Sequence, residues 1–147
     1  MDSFIKKVEI RWADLDPNFH LRHSVYYDYG ACARIDYLQQ VGITAQYMQD
    51  HFLGPVILRE ECVFKKEIRL TDIITINLSL LKARSDYSRW SVRHVIYKNG
   101  DTVSAILTID AAWMDTLKRK LIVPPQEVMD TFSKMPKDPQ FEWLTKI

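Results

Sequence analysis

Two cysteines in 147 residues are too few for a disulfide framework, and Cys32 and Cys62 lack metal-ligand spacing. Each falls inside an expected secondary-structure element, so both are expected to be inert core residues in a reducing, cytoplasmic setting. An excess of either charge is also missing. Twenty Lys and Arg stand against 19 Asp and Glu, for a net charge of +1. No basic block or stripe interrupts that balance, which excludes nucleic acid as the expected partner. No apolar run approaches the roughly 20 residues of a membrane-spanning helix, so membrane insertion is not expected. The start, Met1 to Lys7, lacks the apolar stretch and small-residue cleavage site of a signal peptide. Repeats, low-complexity tracts and interior linkers are absent too. What is present, 47% hydrophobic and 27% charged residues, is an ordinary globular composition long enough for one core.

Alternation through Ile5, Val8, Ile10 and Trp12 predicts a first strand over 4–12. Pro17 and Asn18 mark a loop over 13–23. Ser24 is a favoured N-cap type, and a helix is expected from there to Val41, with Gly42 ending it. Its apolar residues Tyr26, Tyr27, Gly30, Ala31, Ile35, Tyr37, Leu38 and Val41 cover an arc of about 200°, which suits a helix enclosed by a sheet. A short helix around 44–52 stops at Gly54-Pro55. Strands are expected over 56–70, 73–82, 87–98 and 102–114, with Ile74, Ile76, Leu78 and Leu80 on one face. Asn99-Gly100 reads as a type I′ hairpin turn. Short turns at 70–72 and 84–86 imply that these four strands form a consecutive antiparallel meander. Pro124-Pro125 opens a last short helix to Phe132, and the polar tail from Lys134 is expected to be loose. The whole is α+β: a curved antiparallel sheet of about five strands wrapped around one long central helix. Its exposed edge strands and helix flank favour a dimer.

The segment from Arg11 to Tyr26 carries the chemistry. It places Asp14, Asp16, His20 and His23 in a short loop that runs directly into the long helix. A helix N-terminus offers unpaired N–H groups and partial positive charge, suited to a polarised carbonyl oxygen. A carboxylate beside it can act on the carbonyl carbon or on a water aimed at it. Acyl transfer needs both parts. The same residues also allow a plainer reading, in which Asp16 is an Asx-turn carboxylate bonding loop amides.

Over about residues 4–127 the chain resembles the hotdog-fold acyl-CoA thioesterases of the 4-hydroxybenzoyl-CoA thioesterase type. Their pattern, Asp-x-Asp-x-x-Gly-His-x-Asn-Asn-x-x-Tyr before a helix with a late Ala-Arg, is met by Asp14, Asp16, His20, Tyr26, Ala33 and Arg34. His23 stands seven residues after Asp16, as a histidine does in the short-chain branch associated with the bacterial Tol–Pal system. Phe19 replaces the motif glycine, Arg22 the first Asn, and Cys32 the acidic residue before Ala-Arg.

The resemblance implies a single hotdog domain over 1–147 that hydrolyses an acyl thioester to a free acid and coenzyme A. Asp16 is then the nucleophile or general base. His23 contributes its backbone N–H to the oxyanion site and its imidazole to placing water or the carbonyl. Asp14 braces the loop and His20 shapes it. Tyr26, Phe19 and Ser24 are expected to contact substrate. The substrate is a coenzyme A or acyl-carrier thioester, no metal or redox cofactor is expected, and the site is expected at the interface of a homodimer or homotetramer. The alternative is a non-catalytic hotdog protein that binds such a thioester; a hotdog dehydratase ranks below both.

Coenzyme A also needs cations at the pocket mouth, for which Arg59, Arg84 and Arg89, with Lys82, are candidates. Tyr87, Trp90 and Trp113 either line an acyl pocket or fill the sheet. Arg34 falls in the middle of the apolar helix face, and Glu60 shares a strand face with Cys62 and Phe64. Charges on buried faces need partners, so the two are expected to pair across the helix–sheet interface. A competing reading makes Glu60 a second catalytic carboxylate.

Overall fold

The structure, a computed structural model, describes residues 3–145. A short strand, β1 (Ile5–Val8), leads through a single 3-10 turn (Trp12–Asp14) and a loop into the long helix α1 (His23–Gln40). A short helix α2 (Ala45–Asp50) follows, and then strands β2 (Leu53–Phe64), β3 (Ile74–Asn77), β4 (Ser79–Ala83), β5 (Arg89–Lys98) and β6 (Thr102–Asp115). The chain finishes with a two-residue strand β7 (Lys120–Leu121), the helix α3 (Gln126–Ser133) and a strand β8 (Lys137–Trp143).

All eight strands belong to one sheet. Its lateral order runs β2, β6, β5, then β3 and β4 end to end, then β1 beside β3 and β8 beside β4. The inward faces of β3, β5 and β6 bury Ile74, Ile76, Val92, Ile96, Leu107 and Ile109 against Tyr26, Ala33 and Tyr37 of α1. The expected sheet curled around one helix is present. Asn99 and Gly100 take φ of 52° and 103° in the β5–β6 hairpin, and Gly42 takes φ 91° after α1, as their sequence positions suggested.

Several expectations give way. The four strands do not form a meander: β2 pairs with β6, from Leu53 opposite Asp115 to Phe64 opposite Ala105. Residues 65–73 leave the sheet, which gives the chain room to cross to the far side of β5. The strand expected over 73–82 is broken at Leu78 into β3 and β4, both on β5. The tail is not loose. β8 lies parallel to β4, held by Arg93 Nη1 to Asp138 Oδ1 at 3.3 Å and by the Trp143 ring set edge-on to Tyr87 at 5.9 Å. Its exposed outer edge carries Pro139, which lacks the N–H a further strand would use.

The buried stripe of α1 is narrower than expected and turned, because α1 has the sheet on one side only. Val25, Tyr26, Tyr29, Gly30, Ala33, Tyr37 and Leu38 are buried, whereas Ala31, Cys32 and Ile35 face outward. Cys32 is therefore not a core residue, and Cys62 is only half-buried. Trp90, Trp113 and Phe132 pack ring to ring at 5.1–5.8 Å beneath α3, so the two tryptophans fill the core.

Candidate active site

The loop that precedes α1 is built around two carboxylates with different surroundings. Asp14 is 2% exposed and is held by the Arg11 guanidinium, with Nη2 to Oδ1 at 2.7 Å, and by the Arg11 N–H at 3.1 Å to Oδ2. That bonding to Arg11 keeps its carboxyl below the usual range even though burial pushes the other way. Both oxygens of Asp14 are engaged, which suits a brace and leaves nothing for chemistry.

Asp16 sits in a tight turn. Its Oδ1 accepts the N–H of Asn18 at 2.8 Å and of His20 at 3.1 Å, and its own N–H donates to the His20 carbonyl at 2.7 Å. Among the described residues Oδ2 has no partner. The Asx-turn reading and the catalytic reading therefore describe the same side chain: one oxygen sets its direction, and the other is available.

Arg22, which stands where the motif has an Asn, ties the loop to the helix. Its N–H donates to Asp14 O at 2.8 Å, its Nη1 to Ala13 O at 2.9 Å and its Nε to Ser24 Oγ at 3.0 Å. Arg22 is also the N-cap residue of α1, without a side-chain cap bond. The expectation that Ser24 caps the helix is thus corrected: the helix starts one residue earlier, and Ser24 lies in its first turn with its hydroxyl turned to Arg22. His23 becomes the first helical residue. Among the described residues the N–H groups of His23 and Ser24 donate to nothing, as the first turn of any helix requires.

Asp16, His20, His23, Tyr26 and Phe64 line one cavity of about 310 Å³, together with Lys65, Lys66 and Glu67. Tyr26 packs edge-on against Phe64 at 4.9 Å, and burial pushes its hydroxyl up to about 12, so it faces the cavity protonated. His20 also anchors the opposite wall, with Nε2 3.3 Å from Glu67 Oε2, while Glu67 Oε1 accepts from Arg69 Nη2 at 3.0 Å. Phe19 does not line the cavity; its ring points out beside Trp12.

Arg59, Arg84 and Arg89 are not at this cavity. Arg59 lies in mid-β2 and pairs with Glu61. Arg84 and Arg89 border another hollow, with Ser88 and Leu121. Arg89 lies opposite Ala112 on β6, whereas the cavity wall at Lys65 hangs on Ser104. Eight residues of strand separate those points, roughly 27 Å. Lys82 pairs with Glu142 on β8. The cations that do line the cavity are Lys65 and Lys66, which the strand expected over 56–70 would place in its interior; β2 instead ends at Phe64.

Arg34 and Glu60 do meet, although only Arg34 is largely buried and Glu60 lies on an exposed stretch of β2. Arg34 Nη2 lies 3.5 Å from Glu60 Oε2, and Arg34 Nη1 lies 3.2 Å from Nε2 of His94, which is fully buried. His94 Nδ1 is 2.8 Å from the Asn77 carbonyl, which can only accept, so Nδ1 carries the hydrogen and Nε2 accepts from Arg34. Burial, opposed by the bond to Asn77 and reinforced by Arg34, pushes the His94 value down to about 3. His94 shows the same signal as Arg34, a polar group in an apolar alternation (Trp90, Val92, Ile96), and could have been found by it.

Residues 10–132 match the family model of the Thioesterase-like superfamily, and the chain belongs to that family. A protein of Aquifex aeolicus described as "Putative esterase" is 25% identical over 115 residues, covering 69% of this chain and 90% of the relative. A Staphylococcus aureus protein solved in complex with CoA superposes with a TM-score of 0.82 at 15% identity, over 92% of this chain and 87% of that one. A 1,4-dihydroxy-2-naphthoyl-CoA thioesterase from Synechocystis superposes with a TM-score of 0.80 at 14% identity, over 90% and 96%. The fold is the hotdog fold of these proteins.

Proposed function

We propose that this protein hydrolyses acyl thioesters of coenzyme A. The observation that carries the reading is the asymmetry of Asp16, with one carboxylate oxygen pinned by two amides and the other free in a cavity that also holds the start of α1. The substrate carbonyl oxygen takes the His23 and Ser24 N–H groups, where the helix dipole stabilises the negative charge formed on attack. Asp16 Oδ2 then either adds to the carbonyl carbon or takes a proton from the water that does. Collapse of the tetrahedral intermediate breaks the C–S bond and releases the thiolate of coenzyme A, and the acid leaves after hydrolysis. Family membership and a coenzyme A-bound structural neighbour support this reading. Thiol release from a panel of aliphatic and aromatic acyl-CoAs tests it. Turnover above background on at least one is expected, and none on any would overturn it.

A second copy of the chain completes the reading. β2 pairs with β6 on one side, and no described strand covers its other edge. Ile57, Leu58, Val63 and Phe64 on this strand are 44–50% exposed, next to the exposed Ala31 and Ile35 of α1. An edge of this length and apolarity is a pairing surface. Pairing β2 with itself, antiparallel and centred on Glu60, sets Arg59 of each copy opposite Glu61 of the other. It also lays the Leu53 end of one copy beside the Phe64 cavity of the other. Sedimentation is expected to show a dimer that Leu58→Lys with Val63→Lys converts to monomer. A monomeric wild type would sink this arrangement.

A further inference from the structure

Phe19 is a costly residue in an unexpected place. Its φ of 64° lies in the left-handed region, which glycine enters freely and a side chain does not. The backbone there needs only the turn, closed by Phe19 N–H to Asp16 O at 2.9 Å, and a glycine would make it with less strain. Core packing does not explain the ring either, since Phe19 is 64% exposed. Its companion is Trp12, 68% exposed, with ring centroids 6.1 Å apart and planes tilted by 45°. Two large aromatic rings held side by side in water, beside the loop that carries Asp16, form a stacking platform.

The adjoining rim of the cavity is cationic. Lys65 and Lys66 both donate their N–H to Ser104 O, at 2.8 and 3.0 Å, which turns the chain out of β2 and sets two successive lysines at the mouth. Both are exposed, and neither has an ion-pair partner among the described residues, whereas Arg59, Glu67 and Arg69 nearby are all paired. The two rims are stitched together. Leu21 N–H donates to Ile68 O at 2.7 Å, His20 bridges to Arg69, and the His20 ring meets Glu67.

The geometry points to a nucleotide-binding mouth, with adenine stacked on Trp12 and Phe19 and the phosphates of coenzyme A held by Lys65 and Lys66. This assignment rests on the thioesterase reading and replaces the arginines at the far end of the sheet as the source of phosphate contacts within one chain. A planar base offers its π-face to an aromatic pair, and ammonium groups pair with phosphate oxygens. An acyl-carrier thioester shares the phosphate of phosphopantetheine but has no adenine, so the aromatic rim favours coenzyme A over a carrier.

One acyl group presented on coenzyme A, on phosphopantetheine and on pantetheine separates the parts. Phe19→Gly is expected to raise KM about tenfold for the coenzyme A ester alone, with a melting temperature equal to or above wild type. A purely structural role for the phenylalanine predicts a lower melting temperature and equal effects on all three esters. Lys65→Ala with Lys66→Ala is expected to raise KM several-fold for the two phosphate-bearing esters and to spare the pantetheine ester, with a weaker salt dependence than wild type. Equal changes on all three esters, or none on the coenzyme A ester, would overturn the assignment. So would a Phe19→Gly defect confined to an acyl-carrier protein, which would give the aromatic rim to the carrier. Titration of free coenzyme A against free pantetheine reads the same selectivity without turnover. The mouth therefore stands or falls separately from the hydrolysis.

Discussion

Asp16→Asn lowers turnover of the best acyl-CoA substrate by about 10³-fold, with KM and thermal stability close to wild type. The asparagine keeps an oxygen where Oδ1 accepts the Asn18 and His20 N–H groups, so the turn retains both bonds. What changes is the other position. The free Oδ2 becomes an amide NH₂, which can neither attack a carbonyl nor accept a proton from water. Loss of a general base or nucleophile costs about 10²–10⁴-fold, and the midpoint of that range fits a site that keeps its helix N-terminus. Asp16→Ala would confound the result, because it also removes the two turn bonds. Asp14→Asn offers the contrast: it weakens the fork with Arg11 and is expected to lower stability more than turnover. Steady-state kinetics with a melting curve on each variant decides the matter. Near-wild-type turnover in Asp16→Asn would remove this residue from the chemistry.

The second large effect is on stability and comes from His94. Its folded value of about 3 lies below the ordinary 6.5 because burial disfavours the charged ring. Above pH 6.5 the ring is neutral in both folded and unfolded chains, and stability is fully present. As the pH falls from 6.5 toward 3, the unfolded chain takes up a proton that the folded chain refuses, and stability is lost. At about 1.4 kcal/mol per pH unit the loss reaches about 5 kcal/mol by pH 3, a large share of a typical domain's stability. Asp14, Glu67 and Asp72, whose values are also lowered, add their own losses only when the pH approaches the carboxylate range. The interval between pH 6.5 and 4.5 therefore isolates His94. Urea unfolding across that interval should show wild-type stability falling by more than about 2 kcal/mol. His94→Gln, less stable at neutral pH, should show a flatter profile. A wild-type curve that is flat over this interval would rule out His94 as a neutral, buried acceptor for Arg34.

Much of the fold was legible because it follows from local periodicity. The alternation in Ile74, Ile76, Leu78 and Leu80 survives the break at Leu78, since all four face the core. The conflict posed by Arg34 on an apolar helix face was equally legible, because a buried charge needs a partner, although that partner, Glu60, lies on an exposed stretch of β2. Strand order was not. β2 carries a pattern that fits any neighbour, and its pairing with β6 follows from how residues 65–73 carry the chain across the sheet. The tail escapes local reading for a related reason: β8 pairs, and Phe141 packs against the core, only once β4 presents an edge.

The candidate site shows the same division. The sequence by itself determined the loop that sets Asp16 just ahead of a long helix, since an Asx turn and a helix start are local events governed by a few neighbouring residues. It also determined the helix inside a curved sheet, through the mean burial pattern of its elements. Only the tertiary structure decided which cations stand near Asp16, bringing Lys65 and Lys66 to the cavity and leaving Arg84 and Arg89 at the opposite end of the sheet. It also decided where the side chain at the motif glycine position goes, turning the Phe19 ring out beside Trp12. Exposed side chains bury too little surface to leave a periodic trace in sequence, so their neighbours are settled by the path of the chain.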